Sequence, residues 1–298
     1  MRRTMQTINV FTDDGKMEIV RTDAIDFTII ESKSVSLGVK PRLHTMLGRA
    51  GEVISKMDRP SGTPILFMGS YPTKDGGFVR KSYGLDQFSV PTELAFSLAG
   101  GENDVEIHDA ATAIAIASWE AYGSGLADSP AEQLNWARKS RLLIVDADWN
   151  HVNIGLVNDG RVIEGLSRRY DDVLDHKCAA KSMDADVHAY VDNLMKMVYQ
   201  LEMEYCPDLM ILSFEHETED LHKVLKESNE WSSFVNLATL DDIGFNGIDL
   251  SPRAVAVSKG AALIRKKETF GWTPSEFIKD SDDDVDDGGM MDLSIQIE

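Results

Sequence analysis

Hydrophobic positions in this chain fall into blocks of two periods, and the blocks recur in the same order twice. The second half is the clearer copy. Three short segments with strand-like patterning, 141–147, 151–157 and 161–166, lead into a helical stripe over 184–205. There Val187, Tyr190, Val191, Leu194, Met197, Val198 and Leu201 recur at spacings of three and four, opposite Asp192, Lys196 and Glu202. Cys206-Pro207 closes that helix, and an apolar strand at 208–212 follows. A helix over 218–227, a strand over 234–238 and a helix over 252–265 complete the copy. In the first half the three strands are expected at 7–11, 16–21 and 27–31. After them come a helix (41–57), strand (64–69), helix (90–98), strand (104–107) and helix (109–122).

A repeat of this length decides the fold class. The pattern predicts an α/β protein with a duplicated ribonuclease-H-like, actin-like ATPase fold: two βββαβαβα halves around a cleft. The halves are expected at 1–125 and 140–270. A polar connector, 126–139, carries Asp128, Ser129 and Pro130, and an acidic tail, 271–298, has too few apolar residues to order itself. The helix from 109 is rich in small residues, Ala110, Ala111, Ala113, Ala115, Ala117 and Ser118, which would let it approach another backbone or a ligand closely.

Composition narrows the partners. The net charge of −20 disfavours nucleic acid, since a bulk negative surface repels phosphate backbones. Cys178 and Cys206 are the only cysteines, which argues against a disulfide framework and fits a cytoplasmic or other reducing compartment. No apolar run reaches membrane-spanning length, so no membrane partner is expected.

Three segments carry a family resemblance. The first is Ile65-Leu66-Phe67-Met68-Gly69-Ser70-Tyr71-Pro72, with Gly76-Gly77-Phe78-Val79-Arg80 after it. The second is Val105-Glu106-Ile107-His108-Asp109-Ala110-Ala111, running on to Gly123-Ser124-Gly125. The third pairs Cys206-Pro207-Asp208-Leu209-Met210-Ile211 with the helix Arg253 to Leu263, which contains Gly260-Ala261-Ala262. In order and spacing they resemble the ROK family of sugar kinases, especially its glucokinase and polyphosphate glucokinase branches. The resemblance implies that Asp109 is the base that takes the proton from a sugar hydroxyl as it attacks a phosphoryl group. It also implies magnesium and ATP or polyphosphate as cofactors if the protein is active, and a hexose as a possible ligand. The residue before Asp109 is His108, where the family has Asn.

The phosphate-facing turns depart from the family. Its first hairpin has a Gly-Thr- or Gly-Ser-rich turn whose N–H groups face phosphate. Here that turn is Thr12-Asp13-Asp14-Gly15-Lys16, which reads as an ordinary Asp-Gly hairpin. The second turn, Asp146-Ala147-Asp148-Trp149-Asn150-His151, has no glycine to admit a phosphate. Weak candidates for nucleotide contact are Asp146, Asp148, Asn150 and Gly260. Asp146 and Asp148 could hold a metal if a magnesium-nucleotide binds, whereas without metal Asp13, Asp14, Asp146 and Asp148 would repel a triphosphate. Gly260 also has a plainer reading, close helix packing. His176 with Cys178 lacks the further ligands of a structural zinc site.

Three functional readings remain open on the sequence. One is a ROK-like homologue with an eroded nucleotide site, serving as a non-catalytic binding or regulatory subunit with a protein partner or as a homo-oligomer. The second is an active ATP- or polyphosphate-dependent sugar kinase. The third is an actin-like or pilus-type scaffold.

Overall fold

Two sheets of the same topology carry the duplication. The computed structural model describes residues 5–13, 16–36, 43–69, 73–74, 77–78, 105–126, 140–147, 151–158, 161–163, 167–169, 187–215, 219–228, 236–247 and 249–270. Sheet one contains β1 (Gln6–Asp13), β2 (Lys16–Asp23), β3 (Ile29–Ser36), β4 (Ile65–Gly69) and β7 (Val105–Asp109), in the order β3-β2-β1-β4-β7. A two-stranded ribbon, β5 (Thr73–Lys74) with β6 (Gly77–Phe78), lies between the last two in sequence. Sheet two contains β8 (Arg141–Ala147), β9 (His151–Asn158), β10 (Arg161–Ile163), β12 (Leu209–Phe214) and β13 (Leu237–Thr239), in the order β10-β9-β8-β12-β13. In each sheet the first three strands pair antiparallel, and the remaining two join them parallel.

The described helices are α1 (Leu43–Ser55), α2 (Ala110–Leu126), α3 (Val187–Tyr205), α4 (Glu219–Glu227) and α5 (Pro252–Phe270). They place three separate cores. α1 covers the outer face of sheet one, burying Ile54 and Ala50 against Ile8, Val10 and Ile65. α3 and α4 cover the outer face of sheet two, where Leu194, Val198 and Leu225 meet Val145 and Leu212. Between the sheets lies the largest core, built on α2 and α5 and reaching Phe11 and Leu66 on one side and Ile144 and Ile211 on the other. The helices are exchanged: α2 packs on β8 and β9 of the other half, and α5 packs on β1 and β2.

Side-chain size sets that exchange. From Ala110 to Trp119 every residue of α2 is buried, and so is all of 253–264 in α5 except Val255 and Lys259. A helix with no polar face belongs inside. The two cross so closely that a Cβ built on Gly260 would run into the backbone of Ala113, 2.8 Å from its Cα. A Cβ on Gly155 of β9 would likewise meet the backbone of Ala111 and lie 2.9 Å from the Ala115 Cβ. The small residues of the 109–122 segment thus serve helix–helix and helix–sheet contact.

Several boundaries differ from the periodicity. The third strand runs to Ser36 rather than 31, because it is the edge of its sheet and its outer residues, such as Lys33 and Ser34, are polar and exposed. Apolar alternation is therefore a poor guide to its length. It also starts later, since Phe27 takes the left-handed backbone (φ 62) in a turn closed by Asp23 and Asp26 side chains accepting from Ile25 N and Thr28 N. Of the strand expected at 161–166, residues 161–163 form β10 and 164–166 lie outside the described residues; β11 (Ser167–Arg169) is a further strand, and both pair with β9. In α3, Val191, Leu194, Met197, Val198 and Leu201 are buried, while Val187 is partly exposed. The helix expected at 90–98 and the acidic tail lie outside the described residues.

Candidate functional site

A serine–proline pair builds the centre of the molecule. Ser251 caps α5: its Oγ accepts from Ala254 N at 3.0 Å, and its carbonyl accepts from Val255 N. Pro252 fills the first helical position, where a missing N–H costs nothing. Arg253 follows, fully buried, and its side chain spans the gap between the two sheets.

On one side the guanidinium grips Asp146, near the carboxyl end of β8. Arg253 Nε donates to Asp146 Oδ1 at 2.8 Å and Nη2 to Oδ2 at 2.9 Å, a bidentate pair. Ser213, beside Asp146 on β12, donates its hydroxyl to Asp146 Oδ1 at 2.7 Å. On the other side Arg253 Nη1 donates to Thr12 O at 2.7 Å and lies 3.4 Å from Asp13 Oδ1, at the carboxyl end of β1. Asp13 Oδ2 accepts from the Ser251 hydroxyl at 2.6 Å, so the residue that caps α5 also ties it to sheet one. One cation and two carboxylates, all buried, therefore join both halves at the carboxyl edges of their central strands.

The electrostatics are lopsided. Burial works to lower the Arg253 pKa, but Asp146 outweighs it, and with Glu215 and Asp13 the guanidinium is held firmly charged. Asp13 goes the other way. Burial raises its carboxyl to about 6, against the pull of Arg253 and Ser251, and Glu18 pushes in the same direction as burial. Arg253 gives its two-pronged grip to Asp146, so Asp13 receives the weaker share. A cation in the first turn of a helix opposes the helix dipole, and the two carboxylates offset that here.

The candidates read from sequence separate accordingly. Asp146 belongs to this cluster. Asp109 is the last residue of β7, paired in register with Gly69 of β4, so its backbone lies on the same carboxyl edge of sheet one as Asp13. Gly260 lies buried at the α2–α5 crossing. Asp148, Asn150, Asp14, His176 and Cys178 lie outside the described residues. Of the turn carboxylates expected to repel a triphosphate, Asp13 and Asp146 face an internal guanidinium. Among the described residues no set of three or more His, Cys, Asp or Glu gathers as a metal site. Both Asp146 oxygens and one Asp13 oxygen take Arg253 and the other Asp13 oxygen takes Ser251, so a magnesium ion held between these carboxylates would have to displace Arg253. Arg253, Ser213 and Ser251 were not legible as site residues. The available signal was an arginine directly after Ser-Pro and ahead of the small, apolar run 254–257, where a buried charge demands partners.

No family model matches the sequence, and no curated protein does. Solved structures do match. The inorganic polyphosphate/ATP-glucomannokinase from Arthrobacter sp. strain KM superimposes with a TM-score of 0.60 at 14% identity, over 88% of this chain and 99% of that one. A ROK family glucokinase from Streptomyces griseus, in complex with glucose and AMPPNP, gives 0.54 at 11% identity over 87% and 99%. A ROK family protein from Streptococcus pneumoniae, in complex with sucrose, gives 0.51 at 13% identity over 90% and 100%. The chain thus has the fold of ROK sugar kinases, the duplicated actin-like architecture expected from the repeat. Among the described residues no helix is long and apolar enough to cross a membrane.

Proposed function

We propose that this protein is a ROK-like sugar-kinase homologue with an eroded nucleotide site, acting as a non-catalytic binding or regulatory subunit. One observation carries the reading. The carboxylates near the turn ends of β1 and β8, Asp13 and Asp146, are engaged by Arg253. An arginine seated between them leaves no open donor set for a magnesium-bound triphosphate. The first hairpin supports this: Asp13 pairs with Lys16, so two residues of sequence connect its strands. A two-residue turn offers few backbone N–H groups to a phosphate. A hexose is the ligand class to try first, because two of the matched structures hold glucose or sucrose.

The alternative is an active ATP- or polyphosphate-dependent kinase. It draws on Asp109, whose strand-end position on the carboxyl edge suits a base at the rim of an α/β sheet. Isothermal titration with magnesium-ATP and with polyphosphate, followed by a coupled assay on glucose and mannose, separates the two. The non-catalytic reading expects no saturable nucleotide binding and no sugar phosphate. Micromolar affinity, or turnover abolished by Asp109→Asn, overturns it.

A further inference from the structure

We infer that Arg253 is a strut that holds the two halves at one fixed separation, so that they do not open and close on each other. The geometry allows either helix partnership and reaches the same result. α5 belongs to the second half by sequence but packs on β1 and β2 of the first. Three residues, Ser251, Ser258 and Lys266, bind it to that half. Ser251 reaches Asp13, Ser258 O accepts from the Asn9 amide of β1 at 3.4 Å, and Lys266 Nζ sits 4.6 Å over the Phe27 ring. If α5 moves with sheet one, opening must break the bidentate pair of Arg253 with Asp146. If α5 moves with sheet two, opening must break Arg253 and Ser251 away from Thr12 and Asp13. In both cases opening must break several buried, charge-assisted hydrogen bonds at once.

Sliding is blocked as well as opening. The α2–α5 crossing passes backbone to backbone at Gly260 and Ala113, with no side chain between them to yield. Close-packed interfaces move between discrete arrangements rather than deforming continuously. Here the buried triad selects one arrangement. The inference does not depend on the non-catalytic reading, since it concerns how the halves are held and not what they bind.

Paired spin labels on the outer helices test it. Glu52 of α1 and Asp192 of α3 are exposed and lie in opposite halves. Both become cysteine in a chain with Cys178→Ser and Cys206→Ser, and electron–electron distances are measured. The parent should give one narrow distance. Arg253→Met should broaden the distribution by about twofold or add a longer distance, as expected when two rigid bodies are released from a shared contact. Arg253→Lys, which keeps the charge but cannot hold Asp146 with two prongs and reach Thr12 O together, should broaden it less. This second variant serves if Arg253→Met does not fold. Leu225→Ala, a core truncation in the outer layer, should lower Tm yet leave the distance narrow. A distribution as narrow as the parent's in either folded strut variant, or equal broadening in Leu225→Ala, overturns the strut.

Discussion

The outer helix α3 and the central helix α5 are both 19 residues long, and they hold the fold in opposite ways. α3 has one apolar stripe, one wet face, and a single sheet to cover. α5 is buried on nearly all sides over 253–264, touches two sheets and a crossing helix, and carries its decisive contacts in one charged residue at its start. The contrast separates two kinds of stability. The outer layers rest on area, which is roughly additive and tolerant. The central layer rests on close approach and a paired charge, which fail abruptly when a single atom is added or removed.

Substitutions that probe this contrast should differ in size. Gly260→Val adds atoms where Ala113 backbone already lies. It should cost roughly 4 kcal/mol or more, the range reached by few single changes, and show as loss of the cooperative melt. Leu194→Ala in α3 removes a fully buried side chain and should cost about 3 kcal/mol, read from the urea midpoint. A loss comparable to an exposed position, below about 0.5 kcal/mol, would remove α3 from the outer core.

Asp13 gives a pH signature. Its carboxyl titrates near 6 in the folded protein, above the ordinary 3.8, so the native state holds a proton that the unfolded chain has released. Its contribution to stability is fully present at low pH, falls as pH rises from about 4 to 6, and is flat above. Asp13→Asn lacks that decline. The gap between variant and parent in denaturation midpoint should shift in the variant's favour across this window, by an amount on the order of 2 kcal/mol. A constant gap from pH 4 to 7 would mean that Asp13 is ionised throughout. The smallest effect is a gain. Gly48 in α1 has nothing within 4 Å of a Cβ, so Gly48→Ala should stabilise by about 0.5–1 kcal/mol through helix propensity alone.

The same contrast explains what the sequence made legible. α3 announced itself because burial on one side writes a 3.6-residue period, and β8 and β12 because strands buried on both faces are short and apolar. The repeat then exposed the topology of both sheets. The edge strand β3 was cut short, since one partner and a wet rim leave no period to read. Asp146 and Asp13 were visible as acids in hairpins, but their partner was not. Arg253 is 107 positions from Asp146 and 240 from Asp13, and nothing local ties an arginine in a small-residue helix to either. Such pairings are written in the crossing of elements, which only the packed chain reveals.

The account turns on which cation stands between Asp13 and Asp146, and a crystal structure grown with magnesium, AMPPNP and glucose addresses that directly. It should show Arg253 still bidentate on Asp146, near the 2.8 and 2.9 Å found here, still donating to Thr12 O, and no metal between the carboxylates. A magnesium ion bound by Asp146, with Arg253 swung away and nucleotide phosphate in its place, would contradict it.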